Sequence, residues 1–178
     1  MHGVNLSNRN NKTNIIFITG GTKSGKSEFA EHLAKNQNNI TYIALSENNK
    51  QDINWQKKLS IHRKRRPKEW NLIETTDLLS ILKNNIGPAL IDSIGGFVME
   101  NIDREDKEWI LKMKCLIDLL KQRKYLTIIV GEQVGWSLVS EYKIGNRYIE
   151  RIGELQKRIT KISKDNWLAI NGRAIKID

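Results

Sequence analysis

Cysteine is nearly absent from this sequence of 178 residues: there is one, Cys115, which excludes a disulfide framework. It sits in the helical stretch Ile110-Leu111-Lys112-Met113-Lys114-Cys115-Leu116-Ile117, where a buried, inert thiol is expected rather than a nucleophile. Long apolar runs are missing too. None approaches the roughly 20 residues of a membrane span, and the polar opening, residues 1–14, lacks the apolar core of a signal peptide. The expectation is a cytoplasmic protein without a membrane span. Histidine is scarce, with only His2, His32 and His62, so imidazole chemistry has three candidates. Neither an internal repeat nor a linker divides the chain, and 39% hydrophobic with 28% charged residues suits one domain with its own core. Residues 1–13, rich in Asn, Ser and Lys, read as a flexible lead-in to a domain over 14–178.

Against these absences stands Ile15-Ile16-Phe17-Ile18-Thr19-Gly20-Gly21-Thr22-Lys23-Ser24-Gly25-Lys26-Ser27, an apolar run that ends in a glycine-bracketed turn. Residues 20–27 fit G-x-x-x-x-G-K-[ST], after a strand pattern and before a helical one, as a P-loop requires. The glycines let backbone N–H groups close around phosphate oxygens, Lys26 brings a charge to the β and γ phosphates, and the Ser27 hydroxyl suits Mg²⁺. The whole loop, Gly20, Gly21, Thr22, Lys23, Ser24, Gly25, Lys26 and Ser27, is therefore a candidate nucleotide-binding set. A Gly/Ser-rich loop matching by chance is the alternative, and the flanking strand and helix argue against it.

The formal charge is +10, and its location matters more than its size. Lys57, Lys58, Arg63, Lys64, Arg65, Arg66 and Lys68 supply seven positive charges with no acid among them, leaving +3 for the remainder. Such a cluster suits a polyphosphate ligand; a solvated helix face is the other reading.

Phe29, Ala30, Leu33 and Ala34 recur at helical spacing, and residues 40–44 then read as a strand. A helical pattern over 51–66 sets Trp55, Leu59 and His62 on one face and stops at Pro67. Residues 70–74 read as extended, 77–83 as a short helix, Gly87-Pro88 as a break, and 89–92 as an apolar strand ending in Asp92. A long helix over 103–123 carries acids early (Asp103, Glu105, Asp106) and bases late (Lys121, Arg123). A buried strand over 125–130, a helix over 146–164, and strands over 167–170 and 174–177 joined near Gly172-Arg173 complete the chain. Strands alternating with helices predict an α/β fold: a mostly parallel sheet with helices on both faces.

Asp92, at the end of its strand, has the form of a Walker B carboxylate that would share Mg²⁺ with Ser27; an Asp capping a turn is the plain alternative. His62 directly precedes Arg63-Lys64-Arg65-Arg66-Pro67. The positive field would keep its imidazole neutral and nucleophilic toward phosphorus, while the arginines neutralise a triphosphate. A histidine packed beside Trp55 and Leu59 remains the competing reading.

The P-loop, then Tyr42-Ile43-Ala44, then His62-Arg63-Lys64-Arg65-Arg66-Pro67-Lys68-Glu69-Trp70 with Glu74 behind it, resembles the adenosylcobinamide kinase / adenosylcobinamide-phosphate guanylyltransferase family. The likeness continues through Asp92, Val134-Gly135, Arg147-Tyr148 and Gly153, and so covers nearly the whole chain after residue 14. It implies a P-loop NTPase domain similar to the RecA core, assembled as a homotrimer, and a bifunctional enzyme of cobalamin assembly. One activity phosphorylates adenosylcobinamide from ATP or GTP. The other moves GMP from GTP to the resulting phosphate through a guanylylated histidine, by position His62. Ser46, Arg63, Lys64, Arg65, Arg66 and Glu74 match positions expected to hold the guanine nucleotide. The chain departs from the family's usual pattern at Gly95, Glu132-Gln133, Ser140 and Ile149-Glu150, all outside the P-loop and the histidine segment.

Two other functions fit parts of the sequence. One is an enzyme retaining a single activity. The other is a P-loop switch gripping nucleic acid through the basic cluster, but no aromatic interleaves residues 57–67 to stack on bases, which favours a corrinoid and a nucleotide as the partners and no nucleic acid.

Overall fold

A computed structural model of the chain describes residues 13–45, 67, 69–85, 87–136 and 140–177. Among the described residues seven strands form one sheet: β1 (Ile15–Gly20), β2 (Thr41–Leu45), β3 (Asn71–Thr75), β4 (Ala89–Asp92), β5 (Thr127–Glu132), β6 (Asp165–Ile170) and β7 (Arg173–Ile177). Their order is β3-β2-β4-β5-β1-β6-β7, and every pairing is parallel except β6 with β7. The expected α/β class and mostly parallel sheet are thus present. The described helices are α1 (Lys26–Ala34), α2 (Leu78–Asn84), α3 (Gly95–Glu100), α4 (Asp106–Gln122) and α5 (Lys143–Ile162).

The strands are apolar along their length because both sheet faces are covered. On one face Ile18, Tyr42, Leu90, Ile128 and Val130 pack with Ala30 and Ala34 of α1. On the other, Phe17, Ile43, Ile91 and Ile129 meet side chains of the remaining helices, including Leu78, Phe97, Trp109, Met113, Leu155 and Ile159. The alternation within each strand assigns neighbours to opposite faces.

Four expectations need correction. Helix α3 has no counterpart in the sequence pattern; Phe97 and Val98, buried in the core, hold it as a helix despite the weak propensity of Gly95 and Gly96. The helix expected from 103 begins at Asp106, leaving Asp103 outside. The backbone before it is engaged elsewhere: the buried Arg151 guanidinium donates to the carbonyls of Asn101 (2.8 Å), Ile102 (3.0 Å) and Arg104 (2.6 Å) and to Asp106 Oδ1 (2.9 Å). The strand expected over 125–130 lies two residues later, since Gly131 and Glu132 continue the ladder opposite Thr19 and Gly20. Cys115 is free and half-buried on α4 rather than fully enclosed.

β6 and β7 are joined by Asn171 (φ 49°) and Gly172 (φ 76°), a two-residue turn with both φ values positive, the type that suits the twist of a hairpin. The turn is fastened to the loop after β1, Gly172 N–H donating to Ser24 O at 3.0 Å.

Candidate nucleotide site

In a parallel sheet every strand delivers its last residue to the same rim, and that is where ligands of such folds bind. Gly20 of β1, Leu45 of β2, Glu74 near the end of β3, Asp92 of β4 and Glu132 of β5 all reach that rim. Register aligns them: Ala44 pairs Glu74 on one side and Asp92 on the other, and Gly20 pairs Glu132. Two strand spacings therefore separate the Glu74 and Asp92 backbones, about 10 Å.

The loop from Gly20 to α1 has the geometry of an anion cradle. Gly25 caps α1 with φ 91°, a left-handed conformation that glycine adopts without the strain a side chain would add. The first amides of α1 then point out of the helix start with its positive dipole end. Thr22 and Lys23 are exposed at the tip. Lys26 Nζ folds back to Gly21 O at 3.0 Å, and Ser27 is half-buried in the first helical turn. The Ser24 hydroxyl is buried with no partner among the described residues, a donor aimed at nothing else. Space at Gly20 is closed: a Cβ there would lie 2.6 Å from Ser24 Oγ.

Asp92 is held from β2, Tyr42 Oη donating to its Oδ2 at 2.5 Å. Tyr42 in turn stacks on buried Trp70, ring centroids 6.4 Å apart. Beyond Asp92 the turn is tied to β5. Ser93 Oγ donates to Glu132 Oε1, Ile94 N–H to Val130 O (2.9 Å), and Gly95 N–H to Glu132 Oε2 (3.1 Å). Burial pushes the Glu132 carboxyl above its ordinary pKa; the neighbouring Asp92 charge adds to this, while Lys26 and the Gly95 amide oppose it. The Tyr148 phenol is likewise raised, chiefly by burial and then by the Glu132 charge.

The structure therefore brings the loop residues Gly20, Gly21, Thr22, Lys23, Ser24, Gly25, Lys26 and Ser27 to one rim with Asp92 and Glu74. Ser46, His62, Arg63, Lys64, Arg65 and Arg66 lie outside the described residues. Two residues escaped the sequence reading as members of the site. Tyr42 enters the sequence analysis only within the strand pattern and the family resemblance, and Glu132 only as part of a departure from the family pattern; the continuation of β5 through Gly131 puts Glu132 at the rim. Among the described residues no group of three or more His, Cys, Asp or Glu could hold a metal. One carboxylate and one hydroxyl are nonetheless hard oxygen donors of the kind that share Mg²⁺ with substrate phosphates. A cavity of about 570 Å³ beside α4 and α5, lined by Trp109, Arg147 and Arg151 among others, includes none of the loop residues or Asp92.

The family model described as cobinamide kinase / cobinamide phosphate guanyltransferase matches residues 16–177. The chain is 24% identical over 181 residues to the bifunctional adenosylcobalamin biosynthesis protein CobU of Escherichia coli K12, spanning 92% of this chain and 99% of that one. It is 25% identical over 150 residues to the corresponding protein CobP of Pseudomonas aeruginosa, spanning 81% of this chain and 86% of that one. Among solved structures it is similar to an ATPase of a bacterial type III secretion system (TM-score 0.53, 11% identity), covering 86% of this chain and half of that one. A protein of Pyrococcus horikoshii OT3 aligns with TM-score 0.52 at 5% identity over 93% of this chain and 86% of its own. At such identities these two likenesses concern the fold alone.

Proposed function

The chain belongs to the cobinamide kinase / cobinamide phosphate guanyltransferase family, and from that premise we propose that both reactions draw on one triphosphate site at the rim formed by Gly20–Ser27 and Asp92. In the kinase step a substrate hydroxyl attacks the γ-phosphorus of ATP or GTP, the bond to the β-phosphate oxygen breaks, and the hydroxyl proton is lost. The loop amides and Lys26 hold the triphosphate. Asp92 and Ser27 would hold Mg²⁺, which supplies neutralisation of phosphate charge when bound. In the transferase step the His62 imidazole attacks the α-phosphorus of GTP and pyrophosphate leaves. The phosphate of adenosylcobinamide phosphate then displaces the imidazole and takes up GMP.

The observation that carries this reading is the convergence of an anion cradle and a held carboxylate on one sheet rim, in a chain that matches the family over residues 16–177. Ser46, Arg63, Lys64, Arg65, Arg66 and Glu74 take the guanine nucleotide in this reading. The same reading carries a cytoplasmic homotrimer whose partners are nucleotide and corrinoid and not nucleic acid. Among the described residues no helix is long and apolar enough to cross a membrane.

The deciding experiment uses α-labelled GTP with Mg²⁺. The parent protein should carry label that is lost in acid and kept in base, as a histidine phosphoramidate is. His62→Asn should lose both the label and GMP transfer yet retain transfer of the γ-phosphate to adenosylcobinamide, which needs no enzyme nucleophile. Label retained on the His62→Asn protein, or equal loss of both activities in a folded variant, would return His62 to a packing role.

A further inference from the structure

We propose that Glu132 is a positioning residue for Asp92, holding the turn that follows it against the phosphate-binding rim, and that Gly95 is the slot that admits its carboxylate. The proposal rests on the reading of the rim as a nucleotide site. Three bonds fasten that turn to β5 at successive residues: Ser93 Oγ and Gly95 N–H to the two carboxylate oxygens of Glu132, and Ile94 N–H to Val130 O between them. Two of the three therefore depend on one side chain. Glu132 itself is anchored to the P-loop strand. It pairs Gly20 in register, the next residue's N–H donates to Gly20 O at 2.9 Å, and Gln156 Nε2 donates to the Glu132 carbonyl at 2.8 Å. A short path of backbone and one carboxylate thus joins the first residue of the loop to the residue after Asp92, while Tyr42 holds Asp92 from the opposite strand.

Gly95 supplies an independent observation. It is buried at the first position of α3, with no left-handed backbone conformation that would call for glycine. Alanine there would favour the helix. The obstacle is space: an added Cβ would lie 2.6 Å from Glu132 Oε2, 2.9 Å from its Cδ, and closer still to Tyr148 Oη. The glycine leaves open the volume that the carboxylate occupies, so residues 95 and 132 act as one unit.

The test measures the Mg²⁺ dependence of binding of a fluorescent GTP analogue, which needs no corrinoid. Glu132→Ala should raise the Mg²⁺ concentration at half-saturation about tenfold while metal-free affinity for the analogue moves less than about twofold. Glu132→Gln, which keeps a carbonyl acceptor and a polar partner for Ser93, should stay within about threefold of the parent. Gly95→Ala, which removes no hydrogen-bonding group, should reproduce the shift of Glu132→Ala and add less than about threefold in that background. A Glu132→Gln variant as impaired as Glu132→Ala, or additive effects in the double variant, would overturn the proposal. Should Glu132→Ala not fold, Gly95→Ala alone carries the test, and an unshifted value overturns it. Absence of binding by the parent would remove the nucleotide reading and this proposal with it; parental binding with an unshifted Glu132→Ala removes this proposal alone.

Discussion

At the scale of single residues, two carboxylates at neighbouring strand ends live in different settings. Asp92 accepts from a phenol, whereas Glu132 is half-enclosed and pushed toward its neutral form chiefly by burial. A carboxyl whose pKa rises on folding takes up protons as the chain folds. Its stabilising contribution is complete below the unfolded value of roughly 4.3 and is lost as pH rises through the folded value. Glu132→Gln does not titrate. The stability of the parent minus that of the variant, from urea melts without metal, should therefore fall as pH rises from about 4 and level off above the folded pKa. A difference that stays flat with pH would show that the carboxyl is not perturbed. The site roles of Glu132 and Tyr42 are not legible in the sequence, although Tyr42 falls within the family resemblance, because each role is defined by what lies across a strand from it.

At the scale of elements, the junction of α3, α4 and α5 depends on one buried guanidinium. Arg151 donates to three backbone carbonyls that no helix satisfies, and lies 5.4 Å from the Trp109 ring centre. Its one carboxylate partner among the described residues, Asp106, has a side chain 88% exposed, so the ion pair itself contributes little. Arg151→Met should destabilise the fold by about 3 kcal/mol, since it removes the bonds of a buried guanidinium to three carbonyls, whereas Asp106→Ala should cost no more than about 1 kcal/mol. Denaturant melts of the two variants check this; equal losses would mean that the exposed pair, not the carbonyl bonds, holds the junction. The same bonds explain why the start of α4 was misread: a side chain 47 residues downstream of Arg104 takes the carbonyls that would have extended the helix.

At the scale of the whole molecule, a ligand that binds only the folded chain stabilises all of it. GTP with Mg²⁺ at about 100 times its dissociation constant should add about 2.7 kcal/mol, a rise in Tm of roughly 5–10 °C for a chain of this size. Lys26→Ala should abolish that rise while moving the ligand-free melting by about 1 kcal/mol or less, because its described bond is to the exposed loop rather than to the core. Calorimetric scans with and without ligand read both effects, and an undiminished rise in the variant would exclude Lys26 from the site.

The sequence by itself determined the strand-loop-helix of the P-loop, the alternation of strands and helices, the apolar strand ending in Asp92, and the family resemblance. These are local matters: spacing, glycine placement and contiguous apolar runs carry them without reference to distant residues. Only the tertiary structure decided that Gly95-Gly96 opens a helix, that β5 continues through Gly131, and that Tyr42, Asp92, Glu132 and Gly20 meet on one rim. The physical reason is that burial of Phe97 and Val98 outweighs the weak helix propensity of glycine, and that strand order and register, set by packing across the sheet, bring together residues that lie far apart along the chain.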